Sequence, residues 1–199
     1  MKRFFVSLLF IMLSVSTLQA QSWKDMLKDI ASTVADEVTD GALTQYAIVG
    51  EWAYSSPAVK FTSDDMLAEI GSAAISSTIE SKLERVYQIV GFSAGACFFT
   101  FDKEGNMSAK IGKHTLTGSY EFDSSTHAIQ LKFAAGKINL GTINGFAYIS
   151  GSDLDLAFPA DKLLDMVTKL GAKFSSLASL TAILEKYDGV LVGFKFSKK

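Results

Sequence analysis

Gly91-Phe92-Ser93-Ala94-Gly95 fits the Gly-x-Ser-x-Gly pattern of a serine nucleophile. That chemistry needs the serine on a strand-to-helix turn, a histidine to take its proton, and backbone N–H groups for the oxyanion. Here a helical pattern precedes the motif and a strand pattern follows it, and no glycine-rich oxyanion loop is recognisable. His114 and His127 each follow a turn at a strand start, where polar residues are ordinary. Ser93 therefore reads as part of a helix-to-strand turn. Cys97 lies in the apolar run Ala96 to Phe99 and, with the histidines on other strands, lacks the close spacing of a zinc site. It reads as a small buried hydrophobe. Asp153 and Asp155 flank Leu154 at strand spacing, as paired carboxylates for glycoside chemistry would, but read as solvated charges on an outer face. No phosphate loop is present, and no cofactor or metal is expected.

The elements that must position any site are organised around Asp102 to Phe133. Met107, Ala109 and Ile111, then Leu116, Gly118, Tyr120 and Phe122, then Ile129, Leu131 and Phe133 place an apolar or small residue at every second position. Period two predicts strands with one face on a core and one in water. Lys103-Glu104-Gly105-Asn106, Gly112-Lys113 and Asp123-Ser124-Ser125-Thr126 supply turns of hairpin length.

Lys2-Arg3, an uncharged run from Phe4 to Leu13, and small or polar residues ending at Ala20 predict a secretory signal peptide over 1–20. The apolar run is shorter than the roughly 18 to 20 residues of a membrane span. The mature chain is expected to start at Gln21, outside the cytoplasm, in the periplasm or the extracellular space. Formal charge is -2, and without Lys2 and Arg3 the remainder is more acidic still. No basic cluster marks a nucleic-acid partner. A single cysteine gives an exported protein no disulfide framework, so packing must stabilise it.

Residues 21–46 form an N-terminal amphipathic helix and connector in this reading. Trp23, Leu27, Ile30, Val34 and Val38 share one face, with Ser22 as N-cap. The polar face carries both signs, so docking on the domain is preferred over a membrane, and a partner remains the alternative. The domain itself spans 47–199. Ile48, Gly50, Trp52 and Tyr54 open a first strand that bends or breaks at Pro57. Leu67, Ile70, Ala74, Ile79, Leu83, Val86, Tyr87 and Val90 predict a helical insertion over 63–91, in one piece or broken near Gly71 and Ser76-Ser77-Thr78. Strand pattern resumes with Cys97, Phe99 and Phe101. Beyond the meander, Ile138, Leu140, Thr142, Asn144, Phe146 and Tyr148 share one parity and are taken as inward. Leu154, Leu156 and Phe158 follow, then helical patterns over 159–187 beginning at Pro159, then a last strand with Val190, Val192, Phe194 and Phe196 inward. The fold class is mainly β with helices (α+β): about eight antiparallel strands closing into an up-and-down barrel.

Gly50-Glu51-Trp52 ahead of a meander resembles the Gly-x-Trp signature of lipocalins and other calycins, in which the glycine permits a tight approach and the tryptophan plugs one barrel end. A helical insertion after the first strand is similar to the lid of fatty-acid-binding proteins. The layout is similar to exported lipocalin-like proteins of Gram-negative bacteria grouped as a domain of unknown function. The family's Thr-Asp-Tyr motif and the arginine that packs on the tryptophan have no recognisable counterpart.

These readings imply an exported, non-enzymatic barrel that binds a small apolar or amphipathic molecule. A filled barrel serving as a structural or protein-interaction module is the alternative, and an esterase using Ser93 ranks third. The expected ligand-facing positions are Trp52, Tyr54, Phe99, Ala109, Gly118, Tyr120, Phe133, Asn144, Phe146 and Tyr148. Among them Tyr54, Tyr120, Tyr148 and Asn144 are the polar anchors, and Phe at 109 or 118 is expected to fill the lumen without unfolding the domain.

Overall fold

The computed structural model describes residues 42–62, 72–187 and 189–199. The predicted signal peptide, the amphipathic segment from Gln21 to Gly41 and the first part of the helical insertion lie outside these residues. In chain order the elements are α1 (Ala42–Ala47), β1 (Gly50–Phe61), α2 (Ser72–Val90), β2 (Phe98–Phe101), β3 (Asn106–Ile111), β4 (His114–Asp123) and β5 (Ala128–Phe133). They continue with β6 (Thr142–Ser150), β7 (Asp153–Pro159), α3 (Ala160–Lys169), α4 (Phe174–Leu184) and β8 (Val190–Lys198). Each strand pairs antiparallel with the next and β8 closes on β1, giving a closed up-and-down barrel of eight strands.

The meander forms where its parity says it should. Met107, Ala109 and Ile111 on β3 and Ile129, Leu131 and Phe133 on β5 are buried, while Leu116, Gly118, Tyr120 and Phe122 on β4 are half-buried with exposed residues between them. At Gly118 the two strands approach so closely that a Cβ would lie 2.0 Å from the Lys132 carbonyl oxygen. Only glycine fits such a corner. The expectation that Phe at 118 would fill the lumen and spare the fold is therefore wrong, because the added atoms meet backbone first.

β1 does not break at Pro57. A register shift between Tyr54 and Ser56 absorbs one residue, and the strand continues against β8 as Pro57↔Phe194, Val59↔Val192 and Phe61↔Val190. The extra residue changes parity, so Trp52 and Tyr54 share the inner face with Pro57 and Val59 instead of with even-numbered residues beyond the bulge. α2 runs unbroken through Ser76-Ser77-Thr78, where the Thr78 and Ser81 hydroxyls donate to the carbonyls of Ala74 and Ser77 at 2.9 and 2.8 Å. Those hydroxyls share the carbonyls of the preceding turn with the helix ladder, a local back-bonding that the helix tolerates without a break.

The largest departure is β6. It starts at Thr142, after a loop containing Ile138 and Leu140, and its buried residues are Ile143, Gly145, Ala147 and Ile149. Asn144, Phe146 and Tyr148 point outward, opposite to the expected parity. The pairing makes this unambiguous, since Asn144 lies opposite outward Gln130 and Ile143 opposite inward Leu131. The sequence misleads here because the outward positions carry large rings and the inward ones carry glycine and alanine. Next to them, Asp155 is not solvated: burial pushes its carboxyl up, against the pull of Lys195 and Lys60.

α2 packs against β1, and α3 against β7 and β8, with α2, α3 and α4 touching one another. On this side the interior is filled by rings. Tyr54 meets Tyr87, Phe92, Phe194 and Phe196 edge-on at 5.6 to 6.2 Å, and Phe92 stacks on Phe194 at 4.3 Å. The polar tips are satisfied: Tyr54 donates to Glu84 Oε2 at 2.9 Å and Tyr87 to the Gly193 carbonyl at 2.9 Å. Cys97, buried in the core, has its thiol pushed up to about 12 by burial, which leaves it unreactive.

Candidate functional site

The end of the barrel away from these helices is built around Trp52. Its indole is 1% exposed and donates to the Ile48 carbonyl at 2.7 Å, which fixes the ring beneath α1. Lys198, at the end of β8, crosses the ring with Nζ 5.0 Å from its centroid and donates to the carbonyls of Ala47 and Val49 at 3.0 and 3.3 Å. A cation on an aromatic face gains about 0.5–1 kcal/mol when partly exposed. Burial lowers the Lys198 ammonium from its ordinary value. Gly50 makes the crossing possible: its φ is 141°, and a Cβ there would come within 3.2 Å of the Lys198 side chain. The cation over the tryptophan was not legible in the sequence because it comes from the far end of the chain.

Outside the plug lies a groove of about 730 Å³ lined by Gln45, Tyr46, Ile48, Val49, Lys103, Gly105, Tyr120 and Phe122. α1 supplies one wall, the β2–β3 turn the rim, and the inner face of β4 the floor. The turn is held by Asp102, whose Oδ1 accepts the backbone N–H groups of Glu104 and Asn106 at 3.0 and 2.7 Å and whose Oδ2 accepts from Asn106 Nδ2 at 2.9 Å. These bonds lower its carboxyl from the ordinary value. Tyr120 ties the turn to β4 twice, through its hydroxyl to the Asp102 carbonyl and its N–H to the Gly105 carbonyl, both at 2.7 Å. Phe101 meets the Tyr120 ring edge-on at 4.9 Å. The groove thus offers apolar surface with one ammonium group, Lys103, and an amide, Gln45, at its edge. A second cavity of about 530 Å³ opens at the opposite end, between the last turns of α2 and α3 and the β3–β4 turn.

Of the expected ligand-facing residues, only Tyr120 lines the first groove. Trp52, Tyr54, Phe99, Ala109 and Phe133 are buried in the interior, Gly118 sits at the strand corner, and Asn144, Phe146 and Tyr148 are outside the barrel. Phe122 carried a usable signal, being the next inward position after Tyr120. Tyr46, Ile48 and Val49 did not, because their role depends on α1 folding back over the barrel end, where the Thr44 hydroxyl accepts the Ile149 N–H at 3.1 Å.

Ser93 occupies an exposed turn between the end of α2 and the start of β2, the reverse of a nucleophile elbow. Among the described residues no group of three or more His, Cys, Asp or Glu side chains is placed to hold a metal ion. Nor is any described helix long and apolar enough to cross a membrane.

The sequence matches the profile of the Lipocalin-like domain (DUF4923) over residues 23–198, and the chain belongs to that family. No curated protein matches it. Among solved structures, the chain is similar to a DUF4847 family protein from Bacteroides vulgatus ATCC 8482, with 12% identity and a TM-score of 0.41. That likeness covers 79% of this chain and 98% of the other.

Proposed function

We propose that this protein is an exported carrier or receptor that binds a small apolar or amphipathic molecule, without converting it, in the groove beside Trp52. The observation that carries the reading is the groove itself. Its volume, about 730 Å³, falls within the roughly 300–1,000 Å³ typical of small-molecule sites. Half-buried Val49, Tyr120 and Phe122 line it, and the hydrogen-bonded turn from Asp102 to Asn106 holds Tyr120 in place. Lys103 at the rim suits an acidic head group on an apolar body. The ring-filled interior beside the helices leaves that half of the lumen to packing.

The test is binding of a hydrophobic fluorescent probe to the mature chain. Micromolar affinity, about -8 kcal/mol, is expected, with displacement by fatty acids. Phe122→Asp should lower affinity at least tenfold, since it puts a charge on the apolar floor. Lys103→Ala should weaken only carboxylate-bearing competitors. A probe bound equally well by Phe122→Asp, or no binding across a broad apolar panel, overturns the proposal. The alternative, an interaction module, draws on Tyr46, which is 72% exposed at the groove's edge. It requires a protein to compete for the same surface. Export rests on residues 1–20, and N-terminal sequencing of protein recovered from the periplasm should begin at or near Gln21.

A further inference from the structure

Two cavities adjoin at the end of the barrel away from Trp52 and share Lys113, His114 and Ile138 as a common wall. The larger, about 530 Å³, opens between the ends of α2 and α3 and is lined by Ile89, Val90 and Leu170. Ile89 is 56% exposed there, and among the described residues only Tyr46 is another large apolar side chain left so open. The smaller, about 230 Å³, lies between the start of β4 and the β5–β6 loop and includes Lys137. Neither lining contains a carboxylate, although the chain as a whole carries a formal charge of -2. Lys169 is paired with Asp165 at 2.8 Å, but Lys113 and Lys137 have no ion-pair partner among the described residues.

The smaller cavity exists because β4 outruns its neighbour. β5 ends at Phe133, opposite Gly118, and the last bond across that seam runs from the Ala134 N–H to the Thr117 carbonyl at 2.8 Å. Backbone groups alternate in direction along an antiparallel strand, so Thr115 turns its N–H toward the same seam, with no strand opposite. The larger cavity has a fixed floor: a Cβ on Gly91 would lie 2.9 Å from Gly112 Cα, and the two residues have φ of 96° and 54°. This backbone contact locks the end of α2 to the turn that carries Lys113. The last carbonyls of both helices are spent within the chain, Tyr87 accepting from the Phe92 N–H and Val167 from the Ala172 N–H, each at 2.9 Å. Lys113 and Lys137 are therefore not needed as helix caps.

We propose that these cavities form one binding site, separate from the groove beside Trp52, for a phosphate monoester carried on a small apolar body. The phosphate occupies the smaller cavity, against Lys113, Lys137, the His114 imidazole and the Thr115 N–H. The apolar body occupies the larger one, against Ile89, Ile138 and Leu170. Two ammonium groups with no acid between them match a dianion, whereas a monocarboxylate leaves one cation uncompensated. Helix C-termini disfavour negative charge, which puts the phosphate on the strand side and leaves the space between α2 and α3 to the uncharged part.

Calorimetry of the mature chain with hexyl phosphate tests this, at a pH well above the second ionisation of such esters, about 6. Hexyl phosphate should bind about tenfold more tightly than inorganic phosphate or hexanoate. Lys113→Gln combined with Lys137→Gln should remove that advantage. Lys162→Gln with Lys186→Gln, which takes the same charge from exposed positions elsewhere, should leave it. Ile89→Ser should weaken hexyl phosphate but not inorganic phosphate. The fluorescent probe beside Trp52 should bind the first lysine pair variant as it binds the native chain, and Phe122→Asp should keep its affinity for hexyl phosphate. Vesicles of phosphatidylcholine and phosphatidate distinguish the sources of the group: co-sedimentation abolished by the first lysine pair supports a lipid head, and its absence with hexyl phosphate bound supports a free ester. Hexanoate bound as tightly as hexyl phosphate overturns the proposal. So does no binding of hexyl phosphate, an equal loss in both lysine pairs, or a loss in Phe122→Asp.

Discussion

β8 is buried on both faces from Val190 to Phe194, whereas β4 alternates half-buried and exposed residues over its whole length. Both strands carry the same period-two pattern. The difference lies in what surrounds them: packing from α2 and α3 falls on β1, β7 and β8, and the rings of Tyr87 and Phe92 reach in to meet Phe194. On β4 the inward residues have a groove beside them. Alternation therefore determines which way a side chain points, while burial depends on neighbours that arrive from elsewhere in the chain. One half of the barrel is packed for stability and the other leaves apolar surface within reach of solvent.

The sharpest way to break this contrast is a pair of truncations. Phe194→Ala removes a ring that is 1% exposed and contacts five other aromatic residues, and should cost about 3–5 kcal/mol by leaving a cavity. Phe122→Ala removes a half-buried ring and should cost roughly 1 kcal/mol. Urea denaturation of both variants measures the difference. Similar losses would mean that β4 is as enclosed as β8.

The same contrast explains what could be read beforehand. Strand number, closure, the meander register and the inward faces of β7 and β8 were legible because each rests on short-range alternation between turn residues. β6 was not, since alternation marks the apolar face without saying which side of the sheet is covered, and Phe146 and Tyr148 outweighed Ala147 and Gly145. Of the groove, Tyr120 was the one expected ligand-facing residue, and the inward parity of Phe122 was the other usable signal. The groove's other walls come from α1 and the β2–β3 turn, which the barrel brings together over distances in sequence that no local pattern spans.

A smaller effect is expected at the corner of β4. Gly118→Ala must displace the Lys132 backbone and should cost roughly 1–3 kcal/mol. Gly136→Ala, in the β5–β6 loop with nothing within 4 Å of the added Cβ, should stay within about 0.5 kcal/mol of the native chain. Thermal melts read both. A silent Gly118→Ala would show that β4 and β5 separate freely, contrary to a closed barrel.

The smallest expected effect is on the groove's rim and separates binding from stability. Asp102 is half-exposed at the rim, and its carboxyl is held below the ordinary value by bonds from Asn106, Glu104 and Gly105. A depressed carboxyl stabilises the folded turn above the ordinary carboxylate value, and that contribution disappears as pH falls through the folded value. Protonation weakens acceptance from the Glu104 and Asn106 N–H groups, so the turn that carries Lys103 and Gly105 loosens at its junction with Tyr120. Probe affinity should therefore decline as pH is lowered past the carboxylate range, while the melting temperature, governed by the ring-packed half, changes less. Asp102→Asn retains a carbonyl acceptor without a proton to gain, and should flatten the acid limb of the binding curve. Affinity and melting temperature falling together in the native chain, with the same acid limb in Asp102→Asn, would show that acid acts on the whole barrel and that the two halves are not energetically distinct.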